Sequence, residues 1–280
     1  MRVFVAGGSG VLGRAVVPQL VELGHDVVAT SRAAERMSSL EELGATAVLM
    51  DAFDREATFE ALSRCEPEAV LHLMTDLGTG NSASNARLRS VGTRNLVDAA
   101  QAAGVGVFVG QSISWVYPPG STSATEDDEL DLAAAEPRRT TVAAVRELES
   151  AVLECARGVV LRFGQLYGAG TWYSKDGRFG DAARASELSA TETVTSFVNV
   201  DDAAAALVEA LDWPAGVWNI VDDEPAAGVD WAPAFATAVG APAPAAHQSG
   251  DIGRAVSHDR ARGQGLVLRY PSWRSGFRDL

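Results

Sequence analysis

Seven residues near the start of the chain, Gly7-Gly8-Ser9-Gly10-Val11-Leu12-Gly13, have the spacing with the most explicit chemistry. They contain both Gly8-x-Gly10-x-x-Gly13 and Gly7-x-x-Gly10-x-x-Gly13, placed directly after a β-branched run and at the opening of a helical pattern. Gly7 and Gly10 let the backbone turn tightly and approach a pyrophosphate. Gly13 lets the helix lie close to the sheet, and the helix N-terminus attracts the anion. This pattern predicts a dinucleotide site built from Gly7, Ser9, Gly10, Val11, Leu12 and Gly13; the plain alternative is an ordinary strand–helix turn.

The end of the second strand discriminates between cofactors. An acid about 20 residues past the glycines would accept from a ribose 2′-hydroxyl, but the segment reads Ala29-Thr30-Ser31-Arg32. Arg32 can pair with a 2′-phosphate, and Thr30 or Ser31 can donate to it. This favours NADP(H) over NAD(H), against the alternative of a solvated arginine at a strand end. Asp51, with Ala52 beside it, is placed after the third strand to receive the adenine amino group. Leu73, Met74 and Thr75 flank the nicotinamide-side ribose, and Gln111 and Ser112 follow the fifth strand as further cofactor contacts.

These residues need a scaffold, and the first 165 positions supply one by alternation. Strands are expected at Arg2–Ala6, Asp26–Thr30, Thr46–Met50, Ala69–Leu73, Val105–Gly110 and Val159–Phe163. Helices are expected at Val11–Leu23, Ala33–Leu43, Arg55–Arg64 (capped by Asp54), Ser84–Ala103 and Thr140–Ala156. Near-continuous apolar strands alternating with helices imply a doubly wound parallel sheet, an α/β Rossmann fold. Later, Val198–Leu211 reads as a strand and an Ala-rich helix that Asp201 and Asp202 would cap, and Val217–Val221 as a further strand. The polar, acidic stretch Pro118–Pro137 reads as a mobile loop near the strand ends.

Composition narrows the function. A net charge of −14, from 37 acidic against 23 basic residues, disfavours nucleic-acid binding. No apolar run approaches the ~20 residues that span a bilayer, and the first residues make no secretory signal. A cytoplasmic protein acting on a small molecule is expected, with no nucleic-acid or membrane partner. Two scattered cysteines and four dispersed histidines have neither metal-ligand spacing nor a disulfide framework. No metal site is expected.

Further motifs follow in order: Leu71-His72-Leu73, Gly92-Thr93-Arg94-Asn95-Leu96-Val97-Asp98-Ala99-Ala100, the run Leu161 to Gly170, and Phe197-Val198-Asn199-Val200-Asp201-Asp202-Ala203. With the glycine loop, they make nearly the whole chain resemble the extended short-chain dehydrogenase/reductases, the NAD-dependent epimerase/dehydratase family. The resemblance implies a Rossmann domain (1–163 with 195–221) and a small C-terminal substrate domain (164–194 with 222–280), with substrate in the cleft between them. It also implies dimerisation through the two long helices, here near 84–103 and 140–156; homodimer and monomer both stay open.

That family's chemistry runs through a Tyr-x-x-x-Lys pair, the tyrosine as acid/base and the lysine holding the ribose and lowering the tyrosine's pKa. Aligning Glu149 with the glutamate that usually follows puts Thr141 at the tyrosine position and Val145 at the lysine position. The only lysine is Lys175, four residues after Thr171, so the pair occurs nowhere in the chain. After the fifth strand, Gln111-Ser112-Ile113-Ser114-Trp115-Val116-Tyr117 keeps the family's Ser112 and Tyr117, with Ile113 where a serine is usual. Arg89 stands where asparagine is common.

Hydride transfer needs a positioned donor carbon and something to stabilise charge on the acceptor, and does not strictly need tyrosine. Ser112 and Tyr117 are the first candidates for catalysis, with Thr141 beside them. Ser114, Tyr167, Trp172, Tyr173 and Arg89 are candidates for substrate contact. For the serines a loop-capping hydroxyl is the plain alternative, for the aromatic residues core packing, and for Arg89 and Arg146 a solvated helix face. Asp76 serves either as an acid/base group or as a cap of the Gly78–Gly80 turn.

Three readings follow, in order. The first is an NADP(H)-dependent oxidoreductase, reducing a small, moderately apolar carbonyl, enone or imine with acid/base groups unlike the family's. The second is an isomerase, dehydratase or cyclase with a recycled or structural cofactor. The third is a non-catalytic NADP(H)-sensing protein.

Overall fold

The computed structural model describes residues 1–77, 82–248 and 253–280, with the backbone alone of Ser82. In chain order, β1 (Arg2–Ala6), α1 (Val11–Glu22), β2 (Asp26–Ser31), α2 (Met37–Glu42), β3 (Thr46–Leu49), α3 (Arg55–Cys65) and β4 (Ala69–His72) alternate as the periodicity predicts. Next come α4 (Ser82–Arg87), a π-helical turn (Leu88–Gly92), α5 (Thr93–Ala102), β5 (Val107–Ile113), α6 (Arg138–Leu153) and β6 (Gly158–Phe163). The remainder is β7 (Gln165–Tyr167), α7 (Arg178–Arg184), β8 (Ser189–Ala190), β9 (Val194–Thr195), β10 (Phe197–Asn199), α8 (Val200–Glu209), β11 (Gly216–Ile220), β12 (Ala226–Ala227), α9 (Gly228–Ala238), β13 (Ala245–Ala246), α10 (Asp259–Gln264) and α11 (Trp273–Gly276).

Seven strands form one sheet in the order β11-β6-β5-β4-β1-β2-β3. β1 pairs in parallel with β2 on one side and β4 on the other, so the winding reverses at the end of β1. In open α/β sheets ligands bind outside the carboxyl ends of the strands at such a switch point. The fold is therefore the α/β, doubly wound Rossmann type. The expected helix Ser84–Ala103 is interrupted by the π turn, and β5 runs three residues past its expected end at Gly110.

The chain forms two compact units, Met1–Ser112, Leu130–Leu161 and Ala204–Val217 against Ile113–Glu129, Arg162–Ala203 and Trp218–Leu280. In the first, Phe4, Val28, Val70, Leu96, Phe108, Leu148, Val152 and Val160 form a core of sheet residues packed against helices. In the second, the core is aromatic. Tyr173 stacks on Phe179 at 4.3 Å between ring centres, and Phe197 meets Trp231 and Phe277 edge-on.

Long-range carboxylates order the second unit. Asp202, expected to cap a helix, instead accepts from the backbone N–H groups of Arg269 and Tyr270 at 2.8 and 2.9 Å. Asp222 likewise accepts from Glu224 and Trp273. The acidic segment expected to be mobile is tied down. Ala124 bonds to the backbone around Val256, Arg254 pairs with Asp128, and Arg260 pairs with Asp127. In the first unit, Asp131 of the same segment pairs with Arg138 at the start of α6. No helix among the described residues is long and apolar enough to cross a membrane.

Candidate active site

The loop after β1 is a cradle that only glycine can form. Gly7 has φ +90°, and a Cβ there would lie 3.0 Å from the Leu73 carbonyl and the Met74 nitrogen. A Cβ on Gly13 would stand 2.3 Å from the Gly8 carbonyl oxygen, so α1 packs directly on the loop. Gly10 precedes α1 with no side chain to cap it, leaving the N–H groups of the first turn, Val11 to Gly13, open to an anion. These features fit a bound pyrophosphate.

Three residues at the end of β2 divide their work. Thr30 accepts from the Gly7 N–H at 3.2 Å, and Ser31 accepts from the Ser9 hydroxyl at 3.0 Å and from the Ala33 N–H. Both are buried, and both fix the shape of the glycine loop. Arg32 is exposed, and its Nη2 donates to Asp76 Oδ1 at 2.9 Å. Arg32 follows β2 and Asp76 follows β4, so this ion pair straps across the end of β1. Ser84 donates to the other Asp76 oxygen, and Asn85 accepts from the Asp76 N–H. The Ser84 hydrogen bond and then Arg32 hold the Asp76 carboxyl below its ordinary range. The Gly78–Gly80 turn, the other role considered for Asp76, lies outside the described residues.

Asp51 closes a turn after β3 by accepting from the Phe53 N–H at 3.0 Å, and remains exposed. The Ala52 carbonyl accepts from Asn95. Leu73 is buried and Thr75 exposed. Between them, the Met74 N–H donates to His72 Nδ1, so the other ring nitrogen is the donor, 2.7 Å from Thr93 Oγ1. Burial, and then the Arg89 charge, pulls His72 down to about 4. This imidazole is held neutral.

At the end of β5, Gln111 is half-buried and Ser112 is buried. Ser112 donates to Glu149 Oε1 at 2.6 Å. Thr141, Val145 and Glu149 lie four residues apart on one stripe of α6. Thr141 is half-buried, Val145 fully buried and Glu149 only 4% exposed. Arg89, on the π turn, is 7% exposed rather than on a solvated face, whereas Arg146 is exposed. Burial lowers the Arg89 guanidinium to about 10, with the Glu149 charge acting in the opposite direction. Ser112, Glu149 and Arg89 thus form a buried polar cluster. Sequence reasoning used Glu149 only to fix an alignment and passed over His72. The available signals were the four-residue spacing from Thr141 through Glu149, and Arg89 lying four and seven residues before the buried Thr93 and Leu96.

The second unit places the other sequence-selected residues differently. Tyr117 is buried, its hydroxyl donating to Asn219 Oδ1 at 2.8 Å and accepting from Arg162 Nη1 at 2.7 Å. Burial raises its pKa, with Arg162 opposing. Ser114 is buried, its N–H donating to the Phe163 carbonyl. Tyr167 and Tyr173 belong to the aromatic core, and Trp172 is exposed with Arg178 over its ring.

The cradle, the switch point and the strand order define a dinucleotide-binding Rossmann protein. The chain belongs to the NAD-dependent epimerase/dehydratase family, whose model matches residues 3–220. It is 39% identical to a 3-diazoavenalumate denitrifying reductase of Streptomyces, over 99% of both chains. The fold matches UDP-glucose 4-epimerases of Thermotoga maritima (TM-score 0.82, 20% identity, 99% of this chain and 96% of that one) and, with bound NAD, of Thermus thermophilus (TM-score 0.81, 22% identity, 99% and 97%). Together these place the protein in an NAD(P)-dependent enzyme family of the short-chain dehydrogenase/reductase kind.

Proposed function

We propose that this protein is an NADP(H)-dependent reductase that passes hydride to a small, moderately apolar acceptor needing no proton from the enzyme. The observation that carries the reading is the Ser112 hydroxyl donating to Glu149, in a chain with no Tyr-x-x-x-Lys. Hydride addition to a neutral carbonyl leaves an alkoxide, which requires a donor aimed at the developing charge. Ser112 turned onto a carboxylate presents only lone pairs outward, and the Tyr117 hydroxyl already donates to Asn219. A hydroxyl held by a carboxylate stabilises positive rather than negative charge.

Of the carbonyl, enone and imine considered, these residues favour the imine in its protonated, cationic form, and an aryl diazonium is an acceptor that is already cationic in the same way. The activity named for the Streptomyces relative supports the second. A bound reduced nicotinamide supplies the hydride. On the terminal nitrogen of an aryl diazonium this gives a neutral aryl diazene, which loses dinitrogen and leaves a C–H bond. The diazonium and NADPH thus become arene, N2 and NADP+, with atoms and charge balanced. Arg32 would exchange the Asp76 carboxylate for the cofactor's 2′-phosphate, one anion for another. Thr141 lines the site without taking a proton.

The test offers purified protein NADPH with an aryl diazonium acid, and separately with the matching ketone and imine. NADPH oxidation is followed together with N2 release. Consumption one-to-one with N2, absent with the ketone, retained in Thr141→Val and reduced in Ser112→Ala, is the expected result. Reduction of the ketone in preference to both cations would sink the proposal, as would product formed without NADPH oxidation.

A further inference from the structure

Arg89 has more donors than the protein uses. Its guanidinium carries five N–H groups, it is 7% exposed, and it makes no hydrogen bond or ion pair among the described residues. None of its nitrogens is among the fully buried unpaired atoms of the described residues, so its donors reach solvent or a ligand through the exposed remnant. Such a group is retained where something else completes it. Its location on a π turn agrees with this, because single π turns concentrate at functional sites.

The strand order says what lies near it. The glycine loop after β1 seats the pyrophosphate. Arg32 and Asp51 follow β2 and β3, on the side that takes the adenosine half. The other half of a dinucleotide therefore extends over the carboxyl ends of β4 and β5, at His72 and beside Ser112. Thr93, one turn after Arg89, lies 2.7 Å from His72, and the π turn packs against α6, whose Glu149 holds Ser112, so Arg89 belongs to that side. Glu149 also decides the ligand's charge. Its carboxylate already balances the guanidinium, so the cluster is neutral overall and suits a neutral acceptor better than a second anion. Two adjacent hydroxyl oxygens match the planar fork. α6 offers no cation of its own there, since its stripe is Thr141, Val145 and Glu149.

We propose that Arg89 is a positioning residue that donates to the vicinal hydroxyls of the ribose on the nicotinamide half of the cofactor. The inference rests on the reading that the glycine loop binds NADP(H).

Calorimetric titrations with two probes test it: NADPH, and 2′,5′-ADP, which lacks the nicotinamide ribose. The proteins are wild type, Arg89→Met, Arg89→Lys, and a double variant, Arg89→Met with Glu149→Gln, which removes both buried charges together in case the single change fails to fold. The expected result is about a tenfold or greater loss of NADPH affinity in Arg89→Met and in the double variant. Binding of 2′,5′-ADP stays unchanged, and Arg89→Lys recovers most of the loss. Equal weakening of both probes would overturn the proposal, as would unchanged NADPH affinity with a raised KM for the acceptor. If wild type binds neither probe, the cofactor reading beneath it is what fails.

Discussion

Both units bury ionisable side chains, but they use them in opposite ways. In the second unit the carboxylates of Asp202 and Asp222 each receive two backbone N–H groups, and Tyr117 is bonded on both sides by Arg162 and Asn219. Every one of these polar groups is committed to holding chain to chain. At the carboxyl ends of the strands in the first unit, and among the described residues, Arg89 has donors that no protein group takes up, Arg32 is paired with the exchangeable Asp76, and the first turn of α1 has no side-chain cap. A buried carboxyl satisfied by its own backbone serves the fold. A buried charge left incomplete is available to a ligand.

The largest expected effect sharpens this contrast at the cradle. Gly13→Ala drives a Cβ to within 2.3 Å of the Gly8 carbonyl oxygen, and α1 must lift off the loop. A loss of about 3 kcal/mol in urea unfolding, with nucleotide binding abolished, is expected. Full NADPH affinity in this variant would show that the close approach does not matter.

Next in size are two pH dependences of opposite sign. His72 is depressed to about 4 from an ordinary 6.5, so its stabilising contribution is present above 6.5 and is lost as pH falls toward 4. Asp222 is raised to about 8 from 3.8, so its contribution is full below about 4 and lost as pH rises through 8. Thermal unfolding between pH 4.5 and 8.5 should show His72→Asn flattening only the acid limb and Asp222→Asn only the alkaline limb. Flattening of both limbs by one substitution would break the contrast between the regions.

The smallest effects concern the strap over β1. Arg32→Ala should reduce the preference for NADPH over NADH by about tenfold, one lost charge-assisted contact. Asp76→Asn, which releases Arg32, should tighten NADPH by a few-fold and leave NADH unchanged. Competitive titration of the two cofactors measures both, and an unaltered ratio in Arg32→Ala would remove Arg32 from cofactor choice.

The scaffold was legible because its signals are local. β-branched runs mark β1 to β6 to within a few residues, and glycine spacing marks the cradle. Asp54 caps α3 as expected, accepting from the Ala57 N–H. The site was less legible because its decisive contacts are not local. Glu149 reaches Ser112 from 37 residues away, and Asp202 reaches Arg269 from 67. Nothing near Asp202 distinguishes a helix cap from a clamp on a distant segment. Arg89 misled for a related reason, since an arginine on a helix ordinarily faces water, and only the completed sheet shows that this one does not. For Tyr167 and Tyr173, aromatic type alone could not separate a binding wall from a core, and packing places both in the core.

The π turn has a consequence for how this chain tolerates changes in length. For the same rise, Leu88–Gly92 accommodates one residue more than an α-helical turn would. Excising Ser90 would leave an uninterrupted α-helix from 82 to 102. Because the wider π turn winds its extra residue within about the rotation of an ordinary α turn, α4 and α5 would both keep their phase, with Thr93 still on His72, Asn95 still on Ala52, and Ser84 and Asn85 still on Asp76. A single-codon deletion at this point would therefore spare both the Arg32–Asp76 end and the His72 end, and would change only the widened turn that carries Arg89. The surplus residue is an insertion that the helix absorbs without re-aiming either end of the site.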